Sequence, residues 1–113
     1  MEDSKARLPF IELTVGGKIY LLRLSALSAA RLEERLGMSV YKAAERSDEI
    51  KIVAEFLYAL IESLKPEFTR QDAYSIIDDY ISEGGTVASL NKIIASALEN
   101  SGFFGQASPE RGN

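Results

Sequence analysis

The sequence contains no cysteine and no histidine. The first absence excludes disulfides, thiolate nucleophiles and thiolate zinc sites. The second removes the commonest general base and the commonest transition-metal ligand. Among the remaining residues, no acid–base pair, activated nucleophile or cofactor motif is recognisable. We therefore expect a protein that is not an enzyme and that uses no cofactor and no metal ion.

A long hydrophobic run is also lacking. A membrane-spanning helix needs about 20 apolar residues, and the most apolar stretch is interrupted by Lys51, Glu55 and Glu62. The residues from Met1 to Lys5 do not show the basic-then-apolar pattern of a signal peptide. We expect a cytoplasmic chain that does not bind membranes.

Basic residues are outnumbered by acidic ones. The 13 Lys and Arg against 17 Asp and Glu give a net charge of −4, which is unfavourable for binding a phosphate backbone. We therefore expect no nucleic-acid partner. The length of 113 residues suits one domain. We predict a flexible N-terminus at residues 1–7, a single domain at 8–104, and a disordered tail at 105–113, where no large apolar residue occurs.

A β-hairpin is predicted from Leu8 to Leu24. Two β-prone runs flank Gly16-Gly17, and paired glycines suit a tight turn because both can adopt positive φ angles. The two-residue turn fixes the register, with Val15 facing Lys18, Leu13 facing Tyr20 and Ile11 facing Leu22. Because side chains alternate along a strand, one face is predicted to pack on helices. This inner face carries Ile11, Leu13, Val15, Tyr20, Leu22 and Leu24.

Helical periodicity follows the hairpin and predicts about five helices. The predicted N-cap residues are Ser25, Ser39, Asp48, Thr69 and Thr86. The helices are predicted to end at Leu36, at Arg46, at Leu64, before Gly84-Gly85, and at Gly102. The fold class is therefore α+β and mostly α, with an N-terminal hairpin followed by about five helices in a small bundle.

The third helix is predicted to lie in the middle of the bundle because it is apolar over most of its circumference. Its main stripe is Ile50, Val53, Ala54, Leu57, Leu60, Ile61 and Leu64, and a second stripe is Ile52, Phe56 and Ala59. The fourth helix is predicted to bury Ala73, Ile76, Ile77, Tyr80 and Ile81, and the fifth Val87, Leu90, Ile94, Ala97 and Leu98.

Acidic residues on the fourth helix admit two interpretations. Asp72, Asp79 and Glu83 share one face, with Asp78 beside them, and carboxylates are ligands for divalent cations. The same pattern is typical of the solvated face of an amphipathic helix. We adopt the second interpretation, because cation sites usually draw their ligands from one compact loop or from convergent elements.

Two apolar features are the candidate partner-binding residues. Phe10, Ile19 and Leu21 lie on the outer face of the hairpin, where they either meet a later helix or form an interaction surface. Both edges of the hairpin are also open to strand addition. Phe103 and Phe104 follow Gly102 and either pack back on the last helix or bind a partner.

Four segments taken together resemble a known family. Ile11 to Leu24, with Gly16-Gly17 at its centre, is similar to the opening hairpin of tail assembly chaperones of long-tailed phages and prophages. Leu32 to Val40 resembles the glutamate-containing helix, glycine and second helix start that follow it there. Ala73 to Gly85 and Ser101 to Phe104 resemble the C-terminal half of versions from phages of Gram-positive hosts or gene transfer agents. The resemblance covers about Leu8 to Phe104 and depends on the order of several short motifs.

The resemblance implies a non-catalytic protein that is needed for assembly but absent from the virion. Such a protein binds the tape measure protein, keeps it soluble and assists assembly of the tail tube. The tail tube protein and a second copy of the chain are further candidate partners. The main alternative is a structural tail or head–tail connector protein that is retained in the virion.

Overall fold

The computed structural model describes residues 9–104. The predicted flexible N-terminus and the predicted tail lie outside the described residues. The chain forms an antiparallel hairpin followed by five helices, which confirms the predicted α+β, mostly α fold. The strands are β1 (Ile11–Val15) and β2 (Lys18–Leu22), and the helices are α1 (Ala26–Leu36), α2 (Val40–Ala44), α3 (Ile50–Glu62), α4 (Arg70–Ser82) and α5 (Val87–Asn100).

The hairpin has the predicted turn and register. Gly16 and Gly17 have φ angles of 61° and 75°, as a two-residue turn of this kind requires. Val15 pairs with Lys18, Leu13 with Tyr20, and Ile11 with Leu22. The predicted inner face is confirmed, since four of its side chains are buried and the other two are half-buried against the core. The buried ones are Leu13, Val15, Leu22 and Leu24.

Four of the five predicted helix caps are present. The side-chain oxygens of Ser25, Ser39, Thr69 and Thr86 each accept a hydrogen bond from a backbone N–H in the first turn of the helix that follows. Thr69 and Asp72 form the predicted capping box, with both reciprocal hydrogen bonds in place.

The predicted cap at Asp48 is wrong. The N-cap residue of α3 is Glu49, and its side chain forms no capping bond. The Glu49 carboxylate instead accepts two hydrogen bonds from the Arg46 guanidinium, at 2.7 and 2.9 Å. The hydrogen bond from Arg46 lowers the pKa of the Glu49 carboxyl. An ion pair across the α2–α3 connection has therefore taken the place of a side-chain cap.

The predicted helix ends at Arg46 and Leu64 are also wrong, because α2 ends at Ala44 and α3 ends at Glu62. Three residues predicted to be inside are exposed: Ile50 by 45%, Leu64 by 44% and Ile81 by 45%. Each lies in the first or last turn of a helix or just beyond its end. Apolar periodicity gives the correct face, but it does not tell how far the neighbouring elements extend along that face.

Helix α3 forms the centre of the core, as predicted. Residues 52–57 are all buried, and so are Ala59, Leu60 and Ile61. The helix contacts α1, α4, α5 and β2. A helix enclosed on so many sides stabilises the domain through burial on nearly its whole circumference.

One of the buried residues of α3 is charged. Glu55 accepts a hydrogen bond from Arg35 of α1 at 2.9 Å, and its other carboxylate oxygen lies 3.4 Å from Arg70 at the start of α4. The Arg35 guanidinium also lies over the Tyr58 ring, 4.8 Å from the centroid. A carboxylate in this position is tolerated because two guanidinium groups compensate its lost hydration.

The end of α5 returns to the hairpin. Gly102 donates its N–H to the Glu99 carbonyl, and Phe103 donates to the Leu98 carbonyl. These two bonds form the Schellman motif that a glycine terminator favours. The adjacent Ser101 hydroxyl accepts the N–H of Leu24 at 2.9 Å. The last helix and the segment that leaves β2 are thus joined directly.

Gly85 allows the Tyr80 ring to pack on the backbone. A Cβ atom at position 85 would lie 2.3 Å from Tyr80 Cε2, and the Tyr80 hydroxyl is held 2.7 Å from the Ser89 hydroxyl. We expect Gly85→Ala to lower the free energy of unfolding by about 1–3 kcal/mol, because the ring has to leave this position. Denaturant unfolding measures the change. In a Tyr80→Ala background the same substitution should cost much less, and an equal cost in both backgrounds would contradict this explanation.

Candidate protein-binding groove

A groove lies between β2 and the C-terminal end of α3. Its volume is about 480 Å³, within the range of roughly 300–1,000 Å³ that is usual for ligand pockets. We call it the β2–α3 groove. It is lined by Lys18, Ile19, Tyr20, Leu21, Ile61, Leu64 and Lys65.

The groove begins where the strand and the helix separate. Just after β2, Arg23 donates its N–H to the Leu60 carbonyl at 3.0 Å. The Ser63 hydroxyl donates to the Arg23 carbonyl. These two bonds fasten the end of α3 to the edge of the strand. Towards Lys18, no hydrogen bond between described residues joins the edge of β2 to α3, and the space between them forms the groove.

The groove surface is mainly aliphatic. Ile19 is 60% exposed and Leu64 is 44% exposed, while Leu21 is half-buried. Tyr20, also half-buried, packs edge-to-face against the Phe68 ring with 6.2 Å between centroids. Exposed apolar side chains that lie next to one another are typical of an interaction site.

Two lysines give the groove a positive rim. Lys18 and Lys65 are both exposed. The Lys65 ammonium lies 3.3 Å from the Glu67 carboxylate, and the pKa of that carboxyl is lowered by a hydrogen bond from its own backbone N–H and then by Lys65. Lys18 has no ion-pair partner within the described part of the chain. The rim therefore favours acidic groups on a bound partner.

The five predicted partner-binding residues do not share one surface. Ile19 and Leu21 lie together in the β2–α3 groove. Phe10 is half-buried and lines a separate depression of about 430 Å³ with Pro9, Ile11 and Glu12. It lies just before β1 and does not line the β2–α3 groove.

The two C-terminal phenylalanines are half-buried and pack against the core. The Phe104 ring meets the Tyr41 ring of α2 edge-to-face, with centroids 4.8 Å apart and planes at 82°. Neither phenylalanine lines the groove. These contacts favour the alternative in which the two phenylalanines pack on the domain. The groove is therefore the better candidate for partner binding.

The helix side of the groove was missed by sequence reasoning. Ile61 is buried, as predicted, but Leu64 of the same predicted stripe is exposed, and no sequence pattern indicated a role for Lys65. Pro66 is the available signal, since a helix has to end before a proline and its last apolar residue then extends beyond the core. The closeness of this residue to Ile19 is a tertiary contact, which no local pattern encodes.

Two of the four acidic residues on and just after α4 have structural roles in the described chain. The Asp72 carboxylate accepts the N–H of Thr69, and the Glu83 carboxylate accepts the N–H of Gly16 at 2.8 Å. Within residues 9–104, no group of three or more acidic side chains lies close enough together to hold a metal ion. Glu83 instead fastens the hairpin turn to the end of α4.

The fold is a small α+β domain with an apolar, lysine-rimmed groove beside an edge strand. Comparisons with protein-family models, with curated proteins and with solved structures found no match. Among residues 9–104, no helix is both long enough and apolar enough to cross a membrane. The groove and the sequence resemblance described above are therefore the two features that bear on function.

Proposed function

We propose that this chain is a tail assembly chaperone of the long-tailed phage type, acting in the cytoplasm of the bacterial host cell. It binds the tape measure protein, keeps that protein soluble and assists assembly of the tail tube. It acts by binding alone, without catalysis. The observation that carries the proposal is the apolar β2–α3 groove on a domain whose sequence resembles these chaperones from Leu8 to Phe104.

The chemistry of the groove suits this role. A tape measure protein exposes long apolar stripes before its tube exists, and exposed apolar surface drives aggregation. Ile19, Leu21 and Leu64 offer aliphatic surface that covers such a stripe. The net charge of −4 favours solubility of the complex.

Several copies are expected on each tape measure protein. One groove offers far less area than the roughly 800 Å² per partner of a standard stable interface, so each copy binds modestly. A long partner with many apolar stripes compensates by binding many copies. Because the contacts are mainly apolar, moderate salt should weaken the complex without abolishing it.

Co-expression with the tape measure protein encoded near this chain tests the proposal. Alone, the tape measure protein should aggregate. With this chain it should stay soluble, and the two should co-purify with this chain in molar excess. Equal insolubility with and without this chain would refute the chaperone function.

A pair of matched variants links the result to the groove. Ile19 and Leu27 are both 60% exposed, and Leu27 lies on α1 away from the groove. We expect Ile19→Asp to reduce the soluble tape measure protein at least about tenfold, because a charge enters an apolar contact. Leu27→Asp makes the same chemical change and should leave solubility unchanged. If both variants act alike, the groove is not the binding surface.

The structural alternative predicts a different location for the protein. A tail or head–tail connector protein would be found as a stoichiometric component of purified virions. A chaperone is absent from them. Mass spectrometry of purified particles, with the tail tube protein as an internal standard, separates the two functions.

A further inference from the structure

The outer edge of β2 carries unpaired backbone groups. In an antiparallel ladder, the groups that point away from the partner strand recur at every second residue. Arg23 directs its N–H and C=O away from β1, since both are bonded to α3. The same alternation directs the N–H and C=O groups of Leu21 and Ile19 outward. None of these four groups has a hydrogen-bond partner among the described residues.

The β2–α3 groove runs along this same edge. Side chains alternate between the two faces of a strand, yet the groove is lined by the consecutive residues 18–21. At the exposed edge of a strand, side chains from both faces of the strand can border the same groove. The unpaired backbone groups and the apolar groove therefore form one surface. The bonds between Arg23 and α3 close it at one end, and it opens towards Lys18.

We propose that the β2–α3 groove binds an extended segment of the partner protein, which adds to β2 as a third strand. The segment pairs with the backbone of Ile19 and Leu21. On one face of the added strand, its side chains lie beside the outer-face side chains of β2. On the other face, they enter the space beside Ile61 and Leu64. The proposal rests on the proposed function and deepens it by naming the kind of segment that the chaperone holds.

The charge of the groove specifies the segment further. Lys18 and Lys65 flank the open end, so the segment carries Asp or Glu beside its apolar residues. A second copy of this chain is a poorer occupant, because a two-fold dimer would bring four lysines into one small interface. The bound segment therefore alternates between apolar and polar residues and is acidic at the end that lies beside the two lysines.

A designed peptide tests this mode of binding on the unmodified protein. The probe has three valines alternating with threonines and an aspartate at each end. At saturation, we expect amide hydrogen exchange to slow at least about tenfold at Ile19 and Leu21, measured by NMR. The outward amides of Glu12 and Thr14, on the other edge of the hairpin, should not change. A peptide with lysine ends should bind several-fold more weakly.

Two substitutions at one position separate backbone pairing from side-chain contact. Ile19→Ala keeps the outward N–H, whereas Ile19→Pro removes it without breaking a bond to β1. We expect the proline variant to bind the labelled peptide about tenfold more weakly than the alanine variant in fluorescence anisotropy. Thr14→Pro, the matched change on the outer edge of β1, should bind like the wild type. Thermal melts show whether each variant is folded.

Three outcomes would overturn strand addition: peptide binding without slower exchange at Ile19 and Leu21, equal affinity of the alanine and proline variants, or slower exchange that appears with protein concentration alone. The last would indicate a second copy of the chain. The proposed function fails separately. A tape measure protein kept soluble equally well by the alanine and proline variants refutes strand addition and leaves the chaperone function standing. If the peptide slows amide exchange at Ile19 and Leu21 but this chain does not keep the tape measure protein soluble, strand addition is supported and the chaperone function is refuted.

Discussion

Leu13→Asp should unfold the domain. Leu13 is 2% exposed and faces Tyr20 across the hairpin. A carboxylate at this position loses its hydration without gaining a partner, and the apolar contacts of leucine are lost as well. We expect a loss of more than about 4 kcal/mol, which approaches the whole stability of a domain at the lower end of the usual range of roughly 5–15 kcal/mol. Circular dichroism should show no cooperative melting transition.

Leu21→Asp provides the matched control, because it makes the same chemical change on the outer face of the hairpin. Leu21 is half-buried and borders the β2–α3 groove, so the new carboxylate reaches solvent, directly across the hairpin from Glu12. The variant should melt cooperatively at a slightly lower temperature and lose partner binding. Equal unfolding of both variants would mean that the outer face of the hairpin belongs to the core.

Glu55→Ala should destabilise the domain by about 3 kcal/mol, because removing one member of a buried ion pair leaves the other charge without compensation. The Glu55 side chain is 7% exposed and that of Arg35 is 23% exposed. Within the described residues, Arg35 Nη2 is already buried without a hydrogen-bond partner. Without Glu55, the Arg35 guanidinium would lie between α1 and α3 with no carboxylate to compensate its charge. Urea unfolding measures the loss.

The two arginines should respond differently. Arg70 is 59% exposed, so Arg70→Ala should cost less than about 1 kcal/mol. Arg35→Ala leaves Glu55 with this one exposed partner and should cost more. A double variant, Glu55→Met with Arg35→Met, should recover most of the lost stability, because apolar side chains of similar volume often replace a buried pair without loss. Similar costs for Arg35→Ala and Arg70→Ala would show that burial does not govern this network.

Local chemistry predicted the elements well. The Gly16-Gly17 turn, the Thr69–Asp72 capping box and the Gly102 terminator each depend on a few neighbouring residues, and each has the predicted geometry. Periodicity correctly identified the inner face of the hairpin and the central helix. These features could be predicted because their energetics are local or depend on a repeating pattern.

Contacts between distant residues could not be predicted in the same way. Glu55 appeared in the sequence as a charge within an apolar run, and nothing nearby identified Arg35 and Arg70 as its partners. Ile19 and Leu21 were correctly placed on the outer face, but the other side of their groove comes from the last turn of α3 and the residues just after it. Which surface lies opposite a given face is decided by how the elements pack together.

The bond between Leu24 and Ser101 has a consequence for the order of folding. It joins residues 77 positions apart, and β1 packs against α5. A two-stranded hairpin is at best marginally stable by itself in water, and β1 acquires part of its support from α5. Bringing such distant segments together is the slow, entropically unfavourable part of folding. The hairpin is therefore held on two sides, to the end of α3 through Arg23 and to the end of α5 through Leu24, and we expect a chain that lacks α5 to present a less stable groove.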